Sequence, residues 1–402
     1  MTVDRYIATC PLEIQDLVCQ ELQDYGAVNI KAGFKAVHFE ADLKTAYEIH
    51  LKLASASRIL RILKESAGKT LTMITDQSNR VAWNKIWPKN GTYLVEAVLG
   101  DREHDLSSND LSKAVRHGIE KYFQKNGLAL PKVDLKEPTL KVVAFLRQGR
   151  LMISVDSSGK TLHKRGYRHL QHPAPIKETL AAACLRLMDY DGNQVFYDPM
   201  CGSGTIGIEA AYIALNKAPL IHRKKLDFGM EKLADFQSDL WRRVQESVRL
   251  ERREEPASPI ILGDIRPEFV EMAKQHALKA RVEKHLQFRL GSFFDLEPPA
   301  PNGMILMNLP YGERLQKNQV EEMKEFLQRL GNHLKHHYQG WRIGLLAAEQ
   351  SPYKLIGLKP DKKWTLLNGS IPCKLLVFDI YAGSRKDWKK SEAAQHDSSV
   401  RA

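Results

Sequence analysis

The chain has 402 residues, 43% hydrophobic and 27% charged, with 60 Lys and Arg against 48 Asp and Glu, a net charge of +12 with His neutral. That balance excludes a disordered chain, a collagen-like fibre and a small disulfide scaffold, and the length calls for two or three domains. The positive excess points either to a polyanionic partner, most simply nucleic acid, or to a merely basic soluble surface.

The cysteines, Cys10, Cys19, Cys184, Cys201 and Cys373, are widely spread and form no Cys-x-x-Cys pair, which suits reduced thiols, a cytoplasmic protein and no zinc site. The N-terminus has no apolar signal core, and no run approaches the ~18 apolar residues of a membrane span. His333, His336 and His337 recur at helical spacing around Lys335 with no thiol or carboxylate. They predict a solvated helix face and no metal.

In chain order, Tyr6–Thr9 reads as a strand, and Leu12 to Tyr25 as a helix stopped by Gly26. Val28–Ala32 and Ala36–Phe39 form a hairpin around Gly33, Asp42 can cap a helix to Leu53, and Ser57–Leu63 is a half-buried strand. The order β-α-β-β-α-β is the ferredoxin-like arrangement. Beyond it, Ala82–Ile86 and Tyr93–Leu99 read as strands, Ser108–Lys125 as a helix capped by Ser107 or Ser108, and Leu140–Leu146 with Leu151–Val155 as a hairpin. The helix carries Lys113 and Arg116. The run His163-Lys164-Arg165-Gly166-Tyr167-Arg168-His169 interleaves cations with one aromatic. It suits RNA, with Lys164, Arg165 and Arg168 on phosphates and Tyr167 on a base, or else a solvated basic linker.

Gln194–Tyr197 is apolar and runs into Asp198-Pro199-Met200-Cys201-Gly202-Ser203-Gly204-Thr205, followed by an apolar helix from Ile206 to Leu215. Strand, glycine turn and helix open a doubly wound sheet. Gly202 and Gly204 would let the backbone approach a ligand. The Gly-Lys-Ser/Thr ending of a phosphate loop is missing, as is a third glycine, and Asp198 would repel a pyrophosphate. An acid there suits an amino-acid moiety or a ribose, which points to S-adenosyl-L-methionine. A second acid, Asp264, ends the apolar run Ile260–Gly263 and suits ribose hydroxyls or a helix N-cap. The charged stretch between, with Arg223 and Lys224, predicts an insertion on the sheet edge near the active face.

Gly303–Met307 is the next strand and runs into Asn308-Leu309-Pro310-Tyr311. Methylating an exocyclic amine requires acceptors for both N–H bonds while the nitrogen lone pair faces the methyl group. The Asn308 side-chain oxygen and the Leu309 carbonyl can accept those bonds, Pro310 can orient the carbonyl, and Tyr311 can stack on a flipped base. An ordinary strand-end turn is the alternative.

These runs resemble the amino-methyltransferases with an Asn-Pro-Pro-Tyr motif. More narrowly, they resemble the THUMP-containing large-subunit ribosomal RNA guanine-N2 methyltransferases of the L type. The matching segments are Leu162–Arg168, Ala174–Ala183, Asp198–Thr205, Glu209–Ala211 and Asn308–Leu315. The resemblance implies N2-methylation of a guanine in 23S rRNA. Asp198, Met200, Cys201, Gly202, Ser203, Gly204, Thr205, Pro175, Thr179, Asp264, Ile265, Ser292 and Phe293 would hold the cofactor, and Asn308, Leu309, Pro310 and Tyr311 the target amine. Lys113, Arg116, Lys164, Arg165, Tyr167, Arg168, Arg223 and Lys224 would meet RNA. Two positions depart from the pattern: Leu309 stands where Pro is usual, and Ser292 where an Asp normally meets the adenine amine. The expected organisation is a ferredoxin-like domain (1–63), a THUMP RNA-binding domain (64–160), a doubly wound Rossmann-like α/β methyltransferase domain (161–384) and a polar tail (385–402), the stand-alone form. A DNA adenine-N6 methyltransferase and a non-catalytic RNA-binding assembly factor are the competing readings.

Overall fold

The computed structural model describes residues 3–101, 106–170, 175–309 and 317–381, with backbone alone for 317–320. Pro310, Tyr311, Ala174 and the tail from 385 lie outside the described residues. The chain forms two compact units, one of residues 1–166 and 218–251, the other of residues 167–217 and 252–402.

The first unit starts with β1 (Asp4–Thr9), α1 (Gln15–Asp24), β2 (Val28–Gly33), β3 (Ala36–Ala41), α2 (Leu43–Lys52) and β4 (Arg58–Ala67). The side chain of Asp42 accepts from the Thr45 N–H at 2.8 Å, capping α2 as its position suggests. Next come α3 (Leu71–Asn79), β5 (Tyr93–Leu99), α4 (Ser108–Lys125), β6 (Leu140–Arg147) and β7 (Arg150–Asp156). Ser107 and Asp110 cap α4 reciprocally through bonds of 3.1 Å each. Helix α3, capped by Thr70, is not anticipated by the sequence reading. Residues 82–86, expected as a strand, hold instead a short 3-10 turn at Trp83–Lys85. Its cause is Trp83, which is fully buried and donates its indole N–H to the Ser78 carbonyl at 2.9 Å.

The two small halves do not keep separate sheets. Antiparallel pairing of β4 with β7, from Leu60 opposite Asp156 to Ala67 opposite Arg150, joins them into one sheet of order β2-β3-β1-β4-β7-β6-β5. The bulge between Ile62 and Lys64 adds local twist to that seam.

The second unit holds α5 (Glu178–Leu187), β8 (Phe196–Asp198) and α6 (Thr205–Ala214). The chain then returns to the first unit with α7 (Ser238–Leu250). The expected insertion on the edge of the second sheet is therefore corrected. Trp241 of α7 is buried edge-on to Tyr47 of α2 at 5.4 Å, Asp235 pairs with Arg61 at 2.5 Å, and the Met230 N–H donates to the Ser157 carbonyl at 2.9 Å. Apolar burial of one Trp favours the first unit by roughly 2–3 kcal/mol.

Back in the second unit follow β9 (Ile260–Asp264), α8 (Pro267–Ala280), β10 (Leu286–Leu290), β11 (Gly303–Asn308), α9 (Lys317–His337), β12 (Trp341–Ala348), β13 (Lys362–Asn368) and β14 (Ile371–Asp379). The sheet order is β10-β9-β8-β11-β12-β14-β13. Strands β10 to β12 run parallel, while β14 is antiparallel to both β12 and β13. The order reverses between β8 and β11, so the ligand crevice of a doubly wound sheet opens at the C-terminal ends of these two neighbours. The central parallel strands β9 and β11 carry apolar runs because both sheet faces are covered there: Ile260–Leu262 and Met304–Met307 are each at most 2% exposed.

Candidate active site

Three acceptor side chains end three adjacent strands. Asp198 closes β8 and is fully buried. One carboxylate oxygen accepts from the Met200 N–H at 3.4 Å; the other has no partner among the described residues. Burial, then the nearby charge of Asp264, holds this carboxyl well above the usual carboxylate range.

Asp264 ends β9 and fixes the glycine loop. Its Oδ2 accepts from the Gly202 N–H at 2.9 Å and its Oδ1 from the Arg266 N–H at 3.0 Å. Each oxygen retains a second lone pair for a hydroxyl donor. The residue at the N-cap of α8 is Arg266, so Asp264 is not that cap. The loop is tightened further by Cys201 N–H to the Gly263 carbonyl at 2.8 Å and Gly204 N–H to the Cys201 carbonyl at 2.7 Å. Gly202 and Gly204 take left-handed φ of 49° and 77°. A Cβ on Gly204 would come within 2.9 Å of Ala273, so this glycine also serves the approach of α6 to α8. Met200 is half-buried, while Cys201, Ser203 and Thr205 are buried, with Ser203 and Thr205 hydroxyls 3.1 Å apart. No side chain caps α6, so first-turn N–H groups beside Gly204 remain for an electronegative ligand atom.

The remaining expected cofactor residues divide. Ile265 is 65% exposed just past Asp264, an apolar surface at a strand end. Ser292 is half-buried, its Oγ accepting from the Phe294 N–H at 3.2 Å. Phe293 is corrected: it is 3% exposed and stacks on Tyr338 at 5.1 Å and edge-on to His333 at 5.0 Å, a core residue. His333 accordingly belongs to an aromatic cluster, not to the solvated face expected of it. Pro175 and Lys177 are held by Asn368 of β13, whose amide donates to the Pro175 carbonyl and accepts from the Lys177 N–H, both at 3.3 Å. Thr179 is buried in the first turn of α5.

Asn308 ends β11 and is half-buried; its Oδ1 has no partner among the described residues. Ile305 pairs with Tyr197, so Asn308 lies about two residues farther along the crevice than Asp198. Leu309 is 2% exposed and its N–H donates to the Leu346 carbonyl at 2.9 Å, which fixes the strand end.

His276 was not singled out by the sequence. From α8 its Nδ1 donates to the Ser203 carbonyl at 2.9 Å, and its Nε2 accepts from the Leu170 N–H at 3.2 Å. The accepting contact at Nε2 requires the neutral ring, and burial depresses its pKa in the same sense. The only sequence signal was a histidine on the apolar side of a helix.

The expected RNA contacts also divide. Lys113, Lys164 and Lys224 are exposed, and Arg116 is half-buried. Arg165 is 2% exposed and donates to the Leu162 and Ala54 carbonyls, each at 2.7 Å. Tyr167 is equally buried, its hydroxyl 3.2 Å from Glu209. Arg223 donates to carbonyls of Ser158, Lys160, Thr161 and Lys164, and burial lowers its pKa to about 10. Half-buried Arg168 donates to the Ile176 carbonyl at 3.1 Å and faces Glu178. Arg165, Tyr167 and Arg223 are thus corrected to structural roles, because their polar groups are spent inside the fold. Among the described residues no group of three His, Cys, Asp or Glu could hold a metal, and no helix is long and apolar enough to cross a membrane.

A doubly wound sheet with an antiparallel hairpin at one edge, two acids and an Asn at its strand ends, and a glycine loop without phosphate-binding features define a methyltransferase. Comparison with known proteins agrees. The chain matches the RMKL-like methyltransferase domain over residues 165–376, the RlmL ferredoxin-like domain over 5–60 and the THUMP domain over 68–156. It belongs to the RMKL-like methyltransferase family. The Synechocystis RNA methyltransferase candidate slr0064 is 29% identical over 380 residues, 94% of this chain and 98% of that protein. Ribosomal RNA large subunit methyltransferase K/L of Aeromonas salmonicida is 30% identical over 394 residues, 93% of this chain but 54% of that protein. The chain thus spans about half the length of the K/L relatives. The structure of SMU.472, a candidate methyltransferase complexed with SAH, superposes with a TM-score of 0.83 at 25% identity, covering 96% of this chain and 100% of that one.

Proposed function

We propose that this chain methylates the N2 amine of a guanine in 23S rRNA, in the cytoplasm, with S-adenosyl-L-methionine as donor. The carrying observation is the buried Oδ1 of Asn308, without a partner among the described residues, at the end of the strand beside Asp198. Asp198 has the free oxygen and charge to receive the ammonium of the cofactor's amino-acid moiety. Asp264, with Ile265 beside it, has the lone pairs and apolar surface for the ribose and adenine. Thr179 of α5 and Pro175 just before that helix bound the cofactor. When bound, the cofactor supplies an electrophilic methyl group on a sulfonium.

Asn308 Oδ1 accepts one N–H of the target amine and the Leu309 carbonyl the other. Both stabilise the positive charge that develops on nitrogen, a type of contribution worth about 3–4 kcal/mol per group. Pro310 and Tyr311 are assigned carbonyl orientation and base stacking. The proton leaves the cationic amine for water after transfer, so no general base is needed. Exposed Lys113, Lys164 and Lys224 are assigned to phosphates. Mass spectrometry of rRNA from a deletion strain tests the reading: one guanine N2-methyl mark should vanish and return with the wild-type chain. Methyl transfer only to DNA adenine, or rRNA marks unchanged by the deletion, would replace it.

A further inference from the structure

The first unit carries a trough that the methyl-transfer chemistry does not use. Phe34 sits in the turn joining β2 to β3, and Phe145 on β6. Three strands lie between β3 and β6 in the sheet order, so flat pairing would hold them about 19 Å apart. Their rings nevertheless stand 6.4 Å apart at an interplanar angle of 28°. The sheet therefore coils on itself and encloses a cavity of about 390 Å³, lined only by residues of this unit. Its floor is apolar, with Ile7, Leu60 and Val143. Its rim is aromatic and cationic: Arg147 lies 4.4 Å over the Phe34 ring, Lys35 lies 5.5 Å from it, and Arg150 is adjacent. The one acid of the lining, Glu65, is paired with Arg5. Phe34 is 43% exposed despite its apolar ring.

We propose that this trough binds unpaired nucleotides of RNA, which rests on the reading of RNA as substrate. Bases of any sequence present a π-face to Phe34 and Phe145, and the rim cations meet the phosphates. A duplex, with its bases stacked inside, offers no face to this floor.

The test is fluorescence anisotropy of the full chain with a short labelled unpaired RNA and with the same sequence as a blunt duplex. Phe34→Ala should weaken binding of the unpaired RNA by about fivefold or more, Phe34→Tyr should retain it, and duplex affinity should stay constant. Arg147→Gln should weaken unpaired binding with a shallower salt dependence. Phe145→Ala should act like Phe34→Ala; should it fail to fold, the exposed Phe34 position carries the test alone. Unchanged affinity for unpaired RNA in Phe34→Ala and Arg147→Gln overturns the proposal, even if rRNA methylation stands. A wild-type chain that methylates no RNA yet binds unpaired RNA through Phe34 removes the catalytic reading and leaves the trough.

Discussion

Replacing Asp198 by Asn separates what this residue does for the cofactor from what it does for the fold. The substitution keeps the shape and the oxygen facing the Met200 N–H but removes the charge. One carboxylate oxygen has no partner among the described residues, so an ammonium arriving there gains a whole charge-assisted hydrogen bond, about 1.5–3 kcal/mol. Affinity for S-adenosylhomocysteine should therefore fall about 10- to 150-fold. Affinity for 5′-methylthioadenosine, which lacks the amino-acid moiety, should not change.

Stability should move the other way. The folded pKa of Asp198 is raised, so its contribution is most favourable below the usual carboxylate range and is lost as pH rises through the raised value. The ligand-free Asn variant should then melt at a higher temperature than wild type near neutral pH, with the gap closing in acid. Calorimetric titration with both ligands and a melting series across pH read both effects. Equal weakening of the two ligands, or a lowered melting temperature, would refute the assignment of the ammonium to Asp198.

Asn308→Ala should reduce methyl transfer about 10²- to 10³-fold while leaving S-adenosylhomocysteine affinity near wild type, read by single-turnover transfer beside calorimetry. His276 must be neutral to accept from Leu170, and its pKa is depressed from the ordinary 6.5. Its contribution is therefore complete above pH 6.5 and declines as pH falls below it, and cofactor affinity should decline in parallel; His276→Phe should lower affinity at neutral pH and flatten that decline. Arg165→Ala strips two buried carbonyls of their donor, about 1–3 kcal/mol each, so the melting temperature should drop while the salt dependence of RNA binding persists. Lys113→Ala and Lys224→Ala should do the reverse, each reducing the salt slope by about one.

Features written in a few consecutive residues were legible in the sequence. The caps at Asp42 and Ser107, the β-α-β-β-α-β order and the Asp198–Thr205 turn all rest on local chemistry. Helix α3 was missed because it is short and its stabilising partner is α4, some forty residues on. The shared sheet was missed because β4 and β7 pair across nearly ninety residues, a contact without local periodicity. Arg165 and Tyr167 were misassigned because a cation beside an aromatic looks alike whether it faces solvent or a buried carbonyl. At the site, the acids and Asn308 were readable from strand-end position, whereas the carbonyl partner of His276 and the grip of Asn368 on Pro175 come from chain crossings that only the fold supplies.

The return of residues 218–251 to the first unit has a consequence for synthesis. Neither compact unit is a continuous stretch of chain, so translation order cannot complete one before beginning the other. When residue 166 leaves the ribosome, the slot beside Tyr47 still waits for Trp241, and α5, β8 and α6 must emerge before it is filled. A fragment cut at residue 166 would expose that aromatic surface and should aggregate, whereas a fragment reaching residue 251 would carry every strand and helix of the first unit.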